Sequence, residues 1–199
     1  MKIAFIIGIV LIILLIVFQT YTSMATQKAE IQPYKVVQAE KDFEIRFYPS
    51  ATMATITSSA KSYKELGSSG FSKLARYIFG GNDENKQISM TSPVHMEISN
   101  AKSTMSFVMP SNYHKSNLPK PISPDVTIET APEEYVAAIR FSGFASNDDI
   151  KKQTSLLEMA LKIQHIEYYG NFRYLGYNPP YQLFGRRNEV IVAVKWSKK

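Results

Sequence analysis

The chain contains no cysteine. That excludes disulfides, cysteine-based zinc sites, iron–sulfur clusters, thiol nucleophiles and attachment of lipid to an N-terminal cysteine, so the fold must rest on its apolar core. Histidine is scarce, at three residues, and no two of them stand at metal-ligand spacing. His-Glu-x-x-His does not occur, and neither do the Gly-x-Ser-x-Gly elbow, the Walker A loop or Gly-x-Gly-x-x-Gly. Identical acids stand side by side only as Asp148-Asp149 and Glu133-Glu134, which read as a helix first turn and a solvated turn. With no catalytic motif visible, the sequence reads as a binding protein rather than an enzyme. Clustered positive charge is lacking too. The net charge of +6 comes from 23 Lys and Arg against 17 Asp and Glu, and the only adjacent basic pairs are Lys151-Lys152, Arg186-Arg187 and Lys198-Lys199. A nucleic-acid reader gathers its charge on one stripe, so no nucleic-acid partner is expected. An anionic headgroup or an acidic ligand is the better use of the excess.

What is present begins with IAFIIGIVLIILLIVF, Ile3 to Phe18, apolar throughout and preceded by Lys2. This is the layout of a secretory signal or a signal anchor. The run is short for a span, which usually takes about 17–25 apolar residues, but Tyr21 can serve as an interfacial aromatic. Ser23-Met24-Ala25 offers a weak cleavage pattern, so a single span with an extracytoplasmic domain and a secreted or periplasmic product after cleavage both stay open. The division expected is an anchor or signal over 1–21, a polar tether over 22–33, and one domain over 34–199. About 170 residues suffice for a single core.

The domain reads as two similar halves, about 34–110 and 125–196. In the first, FEIRF and ATMATITSS alternate as strands. SYKELGSSGFSKLARYIFGG then places Tyr63, Leu66, Gly70, Leu74 and Tyr77 at helical spacing before a Gly80-Gly81 stop. KQISMTSPVHMEIS and STMSFVMP follow as strands. In the second half EYVAAIRFSGF is a strand, NDDIKKQTSLLEMALKIQHI a helix with Asn147 as its cap, and FRYLGY and EVIVAVKW two strands. Equivalent elements recur at about 83–85 residues, an offset that suggests duplication of one β-α-β-β unit rather than a solenoid. The cleft between two such copies is a natural ligand site.

Among candidate residues, His95 points away from the apolar strand face of Ile88, Met90, Val94, Met96 and Ile98, toward solvent by alternation. His114 lies among turn residues. His165 sits near the stripe Ile150, Thr154, Leu157, Leu161 in the last turn of its helix, where dipole stabilisation or service as a metal or heme ligand would each explain it. Met90, Met96, Met105, Met109 and Phe107 supply either core filling or the soft wall of a pocket. In GYNPPYQLFGRRNEV, Gly176 to Val190, the two prolines stiffen a turn that delivers Arg186-Arg187-Asn188-Glu189 to the start of the last strand. Glu189 is either an ion-pair partner of an arginine or a polar contact for a ligand.

From Tyr34 to Trp196 the chain resembles the SOUL heme-binding protein family, on GFSKLARYIFGGN, KQISMTSPV, TMSFVMP and GYNPPYQLFGRRNEV in that order. The resemblance implies an α+β fold: a distorted antiparallel β-barrel of two tandem β-α-β-β repeats with two main helices, to which this chain adds its N-terminal hydrophobic helix. It implies kinship with the effector-binding domains of multidrug-sensing regulators, and heme or another tetrapyrrole as ligand in a hydrophobic cleft with basic residues at the rim. Arg76 matches a family position linked to a heme propionate, with Lys73 one turn back. The ligand-lining set expected is Lys73, Arg76, Tyr77, Met90, Val94, Met96, Phe107, Met109, Tyr177 and Glu189, with His165 or His95 as axial ligand and no metal apart from heme iron. Three alternatives accompany this reading. One is another small amphipathic ligand, cationic if Glu189 receives it; another is a hydrolytic activity, as in parts of the wider superfamily; the last is a protein-partner role at the membrane.

Overall fold

The structure, a computed structural model, describes residues 2–197. Three helices, α1 (Lys2–Lys28), α2 (Tyr63–Ile78) and α3 (Asn147–Ile163), accompany nine strands. The strands are β1 (Lys35–Ala39), β2 (Glu44–Tyr48), β3 (Ala51–Ser58), β4 (Val94–Glu97), β5 (Ser103–Val108), β6 (Val126–Ala131), β7 (Glu134–Phe141), β8 (Tyr168–Gly176) and β9 (Asn188–Val194). They form one antiparallel sheet, curled into a half-barrel, in the order β1-β2-β7-β9-β8-β4-β5-β3-β6.

Period-two alternation decides what each face carries. Val190, Val192 and Val194 of β9 join Ile45, Ala137 and Ile139 beneath Ile150, Leu157 and Leu161 of α3. Met96, Met105, Phe107 and Ile56 form the matching core beneath Leu66, Leu74 and Tyr77 of α2. Tyr63 and Tyr174 pack against both cores and so mark the seam between them. The face away from the helices carries Tyr48, Val136, Ala138, Leu175, Tyr177 and Ile191.

Serines start both domain helices. Ser62 accepts from the Glu65 amide, and Ser146 with Asp149 closes a reciprocal capping box. The cap of α3 is thus Ser146 and not Asn147, whose Oδ1 instead accepts from the Tyr63 amide at the start of α2 (3.1 Å). Two strands, β1 and β6, were not legible as strands; both are short, largely exposed edges with little apolar signal. The long stretch read as one strand before the turn at Ser99 is paired as β4 only from Val94 onward. Residues 22–33 do not form a loose tether. Helix α1 continues to Lys28, and Gln32 and Glu30 bond the backbone of Ser92 (both 2.8 Å).

Candidate functional site

The stiff segment after β8 is held by a buried ionic knot. Tyr177 and Glu189 project to the sheet face opposite the helices, where Glu189 is 0 % exposed. Its carboxylate accepts from Arg46 Nη1 (2.7 Å) and Nη2 (3.2 Å), from Arg187 Nε (2.9 Å) and Nη2 (2.8 Å), and from the Tyr177 hydroxyl (2.9 Å). The Arg46 guanidinium lies over the Tyr34 ring and that of Arg187 over Tyr177, at 4.3 and 3.9 Å. Burial alone would push the Glu189 carboxyl up, but hydrogen bonds and charge from the two arginines hold it below the usual range. Burial, followed by the Glu189 charge, raises the hydroxyls of Tyr177 and Tyr48. A carboxylate with five donors already on it is a structural anchor, so the ion-pair reading of Glu189 is the one observed.

The remaining residues singled out in the sequence divide among several places. Tyr77, Met96, Phe107 and Met109 are buried in the core. The Tyr77 hydroxyl donates to the Pro119 carbonyl (2.9 Å). Met90 and Val94 are half-buried against the same core. Lys73 and Arg76 do not reach the seam. At about 100° per residue they fall on the flank of α2 away from Gly67 and Phe71. Lys73 there pairs with Asp125, next to the edge strand β6 (2.7 Å), whereas Gly67 faces Met96 of β4.

His95 does point away from Met96, but not to solvent: the sheet curls over that face, and the ring is 6 % exposed with Nε2 on Gln32 Oε1 (2.7 Å). Burial, and secondarily the charge of Arg173, lowers its pKa to about 3. His165 lies beyond the end of α3, exposed, with a left-handed φ of 56°. The helix spans about 25 Å at ~1.5 Å per residue, so His165 is distant from the seam that the first turn of α3 borders. Neither histidine faces the seam.

The seam itself gathers residues that sequence reasoning passed over. Tyr63 and Tyr174 meet edge to face at 5.7 Å, and burial raises both hydroxyls to about 12. On one side of this pair lies a cavity of about 470 Å³ lined by Lys61, Tyr63, Ile98, Asn147, Lys151 and Phe172 among others. On the other side the Tyr174 hydroxyl donates to Asn188 Oδ1 (2.7 Å), and Asn188 Nδ2 donates to the Gly143 carbonyl (2.8 Å). Phe71 stands edge-on to Phe107 at 5.3 Å there, with Val94 paired between Phe107 and Gly176. A second cavity, about 440 Å³, sits by residues 30–33 and 108–116. Of the candidate residues singled out above, Met109 and His114 line it, and Glu30 brings a carboxylate to its wall.

Adjacent extended residues point opposite ways, and this separates the two arginines. Arg187 joins Glu189. Arg186 turns to the helix side, where its guanidinium lies 4.5 Å over the Phe144 ring and Nη1 donates to the Pro179 and Gln182 carbonyls (2.7 and 2.8 Å). Among the described residues it has no carboxylate partner, and its buried Nε–H has no acceptor. Burial accordingly lowers its pKa, whereas in Arg187 the effect of burial is overcome by Tyr177 and Glu189 and the pKa rises.

The likeness to known proteins agrees with this architecture. The C-terminal domain of EcmrR shares the fold at a TM-score of 0.62 and 8% identity, with 82% of this chain and 99% of that domain covered. A hydrolase from Listeria innocua does so at 0.55 and 7%, covering 80% and 94%. In sequence, heme-binding protein 2 of Homo sapiens is 31% identical over 161 residues, 77% of this chain and 78% of that protein. Heme-binding protein 1 of Xenopus laevis is 28% identical over 166 residues, 78% and 86%. The model of the SOUL heme-binding proteins matches residues 29–193, and the chain belongs to that family.

Proposed function

We propose that this protein binds heme or a closely similar tetrapyrrole on the helix face of the sheet, at the end of the seam nearest the segment 177–187. The observation that carries the site is Arg186, a half-buried cation with no carboxylate partner among the described residues, set beside aromatic surface. Phe71, Met90, Val94 and Phe144 offer apolar contact, and Arg186, whose Nη1 is held by the Pro179 and Gln182 carbonyls, would offer a propionate a charge-assisted hydrogen bond from Nη2. Burying about 300 Å² of apolar ligand surface at ~25 cal/mol per Å² contributes about 7 kcal/mol, before the cost of association is subtracted. With His95 on the opposite face and His165 beyond α3, the reading has no axial histidine. It also gives Lys73 and Arg76 no part in the rim.

The wider reading is a heme-binding domain, residues 34–199, held at the membrane on the extracytoplasmic side by a retained N-terminal span. The helix α1 is long and apolar enough to cross a bilayer. Contacts that would be lost on cleavage after Ala25 support its retention: Gln19 Nε2 donates to the Tyr181 carbonyl (3.0 Å), and Gln19 Oε1 accepts from the Leu183 amide (2.9 Å). The strand order, running β7-β9-β8 and then β4-β5-β3 about the seam, supports a duplicated β-α-β-β unit. A cationic ligand at Glu189 finds no support, since both carboxylate oxygens are occupied by arginine.

The test is an optical titration of hemin into the full chain in detergent, beside Arg186→Ala and Arg76→Ala. The expected result is a saturable Soret shift at one equivalent. Affinity should weaken about 10- to 100-fold in Arg186→Ala, the loss of a charge-assisted pair, and stay unchanged in Arg76→Ala. A non-saturating shift identical in all three proteins would overturn ligand binding. Weakening by Arg76→Ala alone would move the ligand to the outer flank of α2.

A further inference from the structure

The apolar run of α1 covers about 16 residues, or about 24 Å at 1.5 Å per residue, short of a hydrocarbon core of about 30 Å. The residue that ends it, Gln19, is not turned to water. Although flanked by exposed side chains it is only 8 % exposed, because its Nε2 donates to the Tyr181 carbonyl (3.0 Å) and its Oε1 accepts from the Leu183 amide (2.9 Å). The ring of Phe18, the last apolar residue of the run, lies 6.0 Å from that of Tyr181. The segment Pro179–Phe184 is thus fastened to the helix where its apolar stretch ends. It carries Tyr181, Leu183 and Phe184 outward, 57, 42 and 71 % exposed, with Phe144 tied alongside through Arg186.

We infer that this segment, with Phe144, is a second membrane contact: an aromatic and aliphatic crown that enters the bilayer interface beside α1. The inference rests on the reading of α1 as a retained span. Three physical arguments carry it. A polar side chain at the end of a span is satisfied by the segment's backbone, so Tyr181 and Leu183 stand at the depth of Gln19 and Phe18. Exposed aromatic side chains at that depth are what the headgroup region favours. The helix is long enough to cross, but its strictly apolar run is shorter than the hydrocarbon core, and drawing an apolar crown into the interface offsets that mismatch. A functional consequence follows for the loop end of the seam: Arg186 is anchored to the same segment, so the proposed ligand groove opens toward lipid, and an amphipathic ligand can exchange with the bilayer directly.

The absence of cysteine makes the test direct. Phe184→Cys, Leu11→Cys and Ala101→Cys are each labelled with an environment-sensitive nitrobenzoxadiazole dye in the full chain and placed in vesicles whose lipids carry spin-labelled acyl chains. All three positions are exposed, so labelling leaves the core intact. Ala101 lies in the β4–β5 turn, at the end of the sheet away from Gly176. Loss of fluorescence at positions 184 and 11, with none at 101, is the expected result. Loss at 11 but not at 184 would overturn the membrane contact while leaving the span in place. No loss at 11 would overturn the span itself.

Discussion

His95 shows how a residue's chemistry is reassigned by what covers it. Alternation puts it on the face away from the core of α2, and on an isolated sheet that face would be wet. The curl of the sheet and the docking of Gln32 enclose it, and the neutral ring donates from Nε2 to Gln32 Oε1. Its pKa falls to about 3 in the folded protein, from 6.5, because burial disfavours the cation and Arg173 adds repulsion. The unfolded chain therefore binds one more proton between those values, and stability is lost as pH falls through that window. We expect unfolding free energy to drop by about 1.4 kcal/mol per pH unit as pH falls below about 6.5. Urea titrations should show that slope flattened in His95→Gln. An unchanged slope in the variant would assign the acid sensitivity to other groups.

Helix α2 and the turn that follows it illustrate how two glycines answer to different constraints. Gly67 lies inside the helix with only the tip of Met96 near, at 3.7 Å from where a Cβ would stand. Gly67→Ala should therefore stabilise the domain by about 0.5–1 kcal/mol through helix propensity alone. Gly81, past the helix end, has no such latitude. A Cβ there would come within 2.6 Å of the Arg76 carbonyl, which accepts the Gly81 amide at 2.8 Å. Gly81→Ala should cost about 1–3 kcal/mol and loosen the turn that buried Asn82 holds through Tyr77 and Lys86. Thermal unfolding of the two variants should move in opposite directions. The stop itself was legible from Gly80-Gly81, as were both domain helices and the major strands, because each has a strong apolar period. The edge strands β1 and β6 were not, since exposed pairing leaves little pattern in the side chains.

For the molecule as a whole, the two apolar cores share one continuous sheet through the β8–β4 pairing, and Tyr63 and Tyr174 pack against both. The halves therefore lack separate sheets that could unfold alone. Urea unfolding should show one transition, with far-ultraviolet circular dichroism and the fluorescence of Trp196, which packs on the α3 core, changing together. Separated transitions would mean that the halves are energetically independent. Phe71 and Val94 lie by the α2 core, whereas Phe144 and Arg186 follow strands β7 and β8 of the α3 core, so the site proposed above would draw on both.

The sequence by itself determined the elements with strong periodicity, the apolar N-terminal run, the family likeness and the exclusion of cysteine chemistry, since each is written in local composition or in ordered motifs. Tertiary structure alone decided the sites. Lys73 and Arg76 share the helix that carries Phe71, yet the rotation of that helix on the sheet sends them to its outer flank. Arg186 and Arg187 are adjacent and chemically identical. One is neutralised by Glu189 and the other is left without a carboxylate partner among the described residues, because an extended backbone sends neighbours to opposite faces and only the fold says what each face meets.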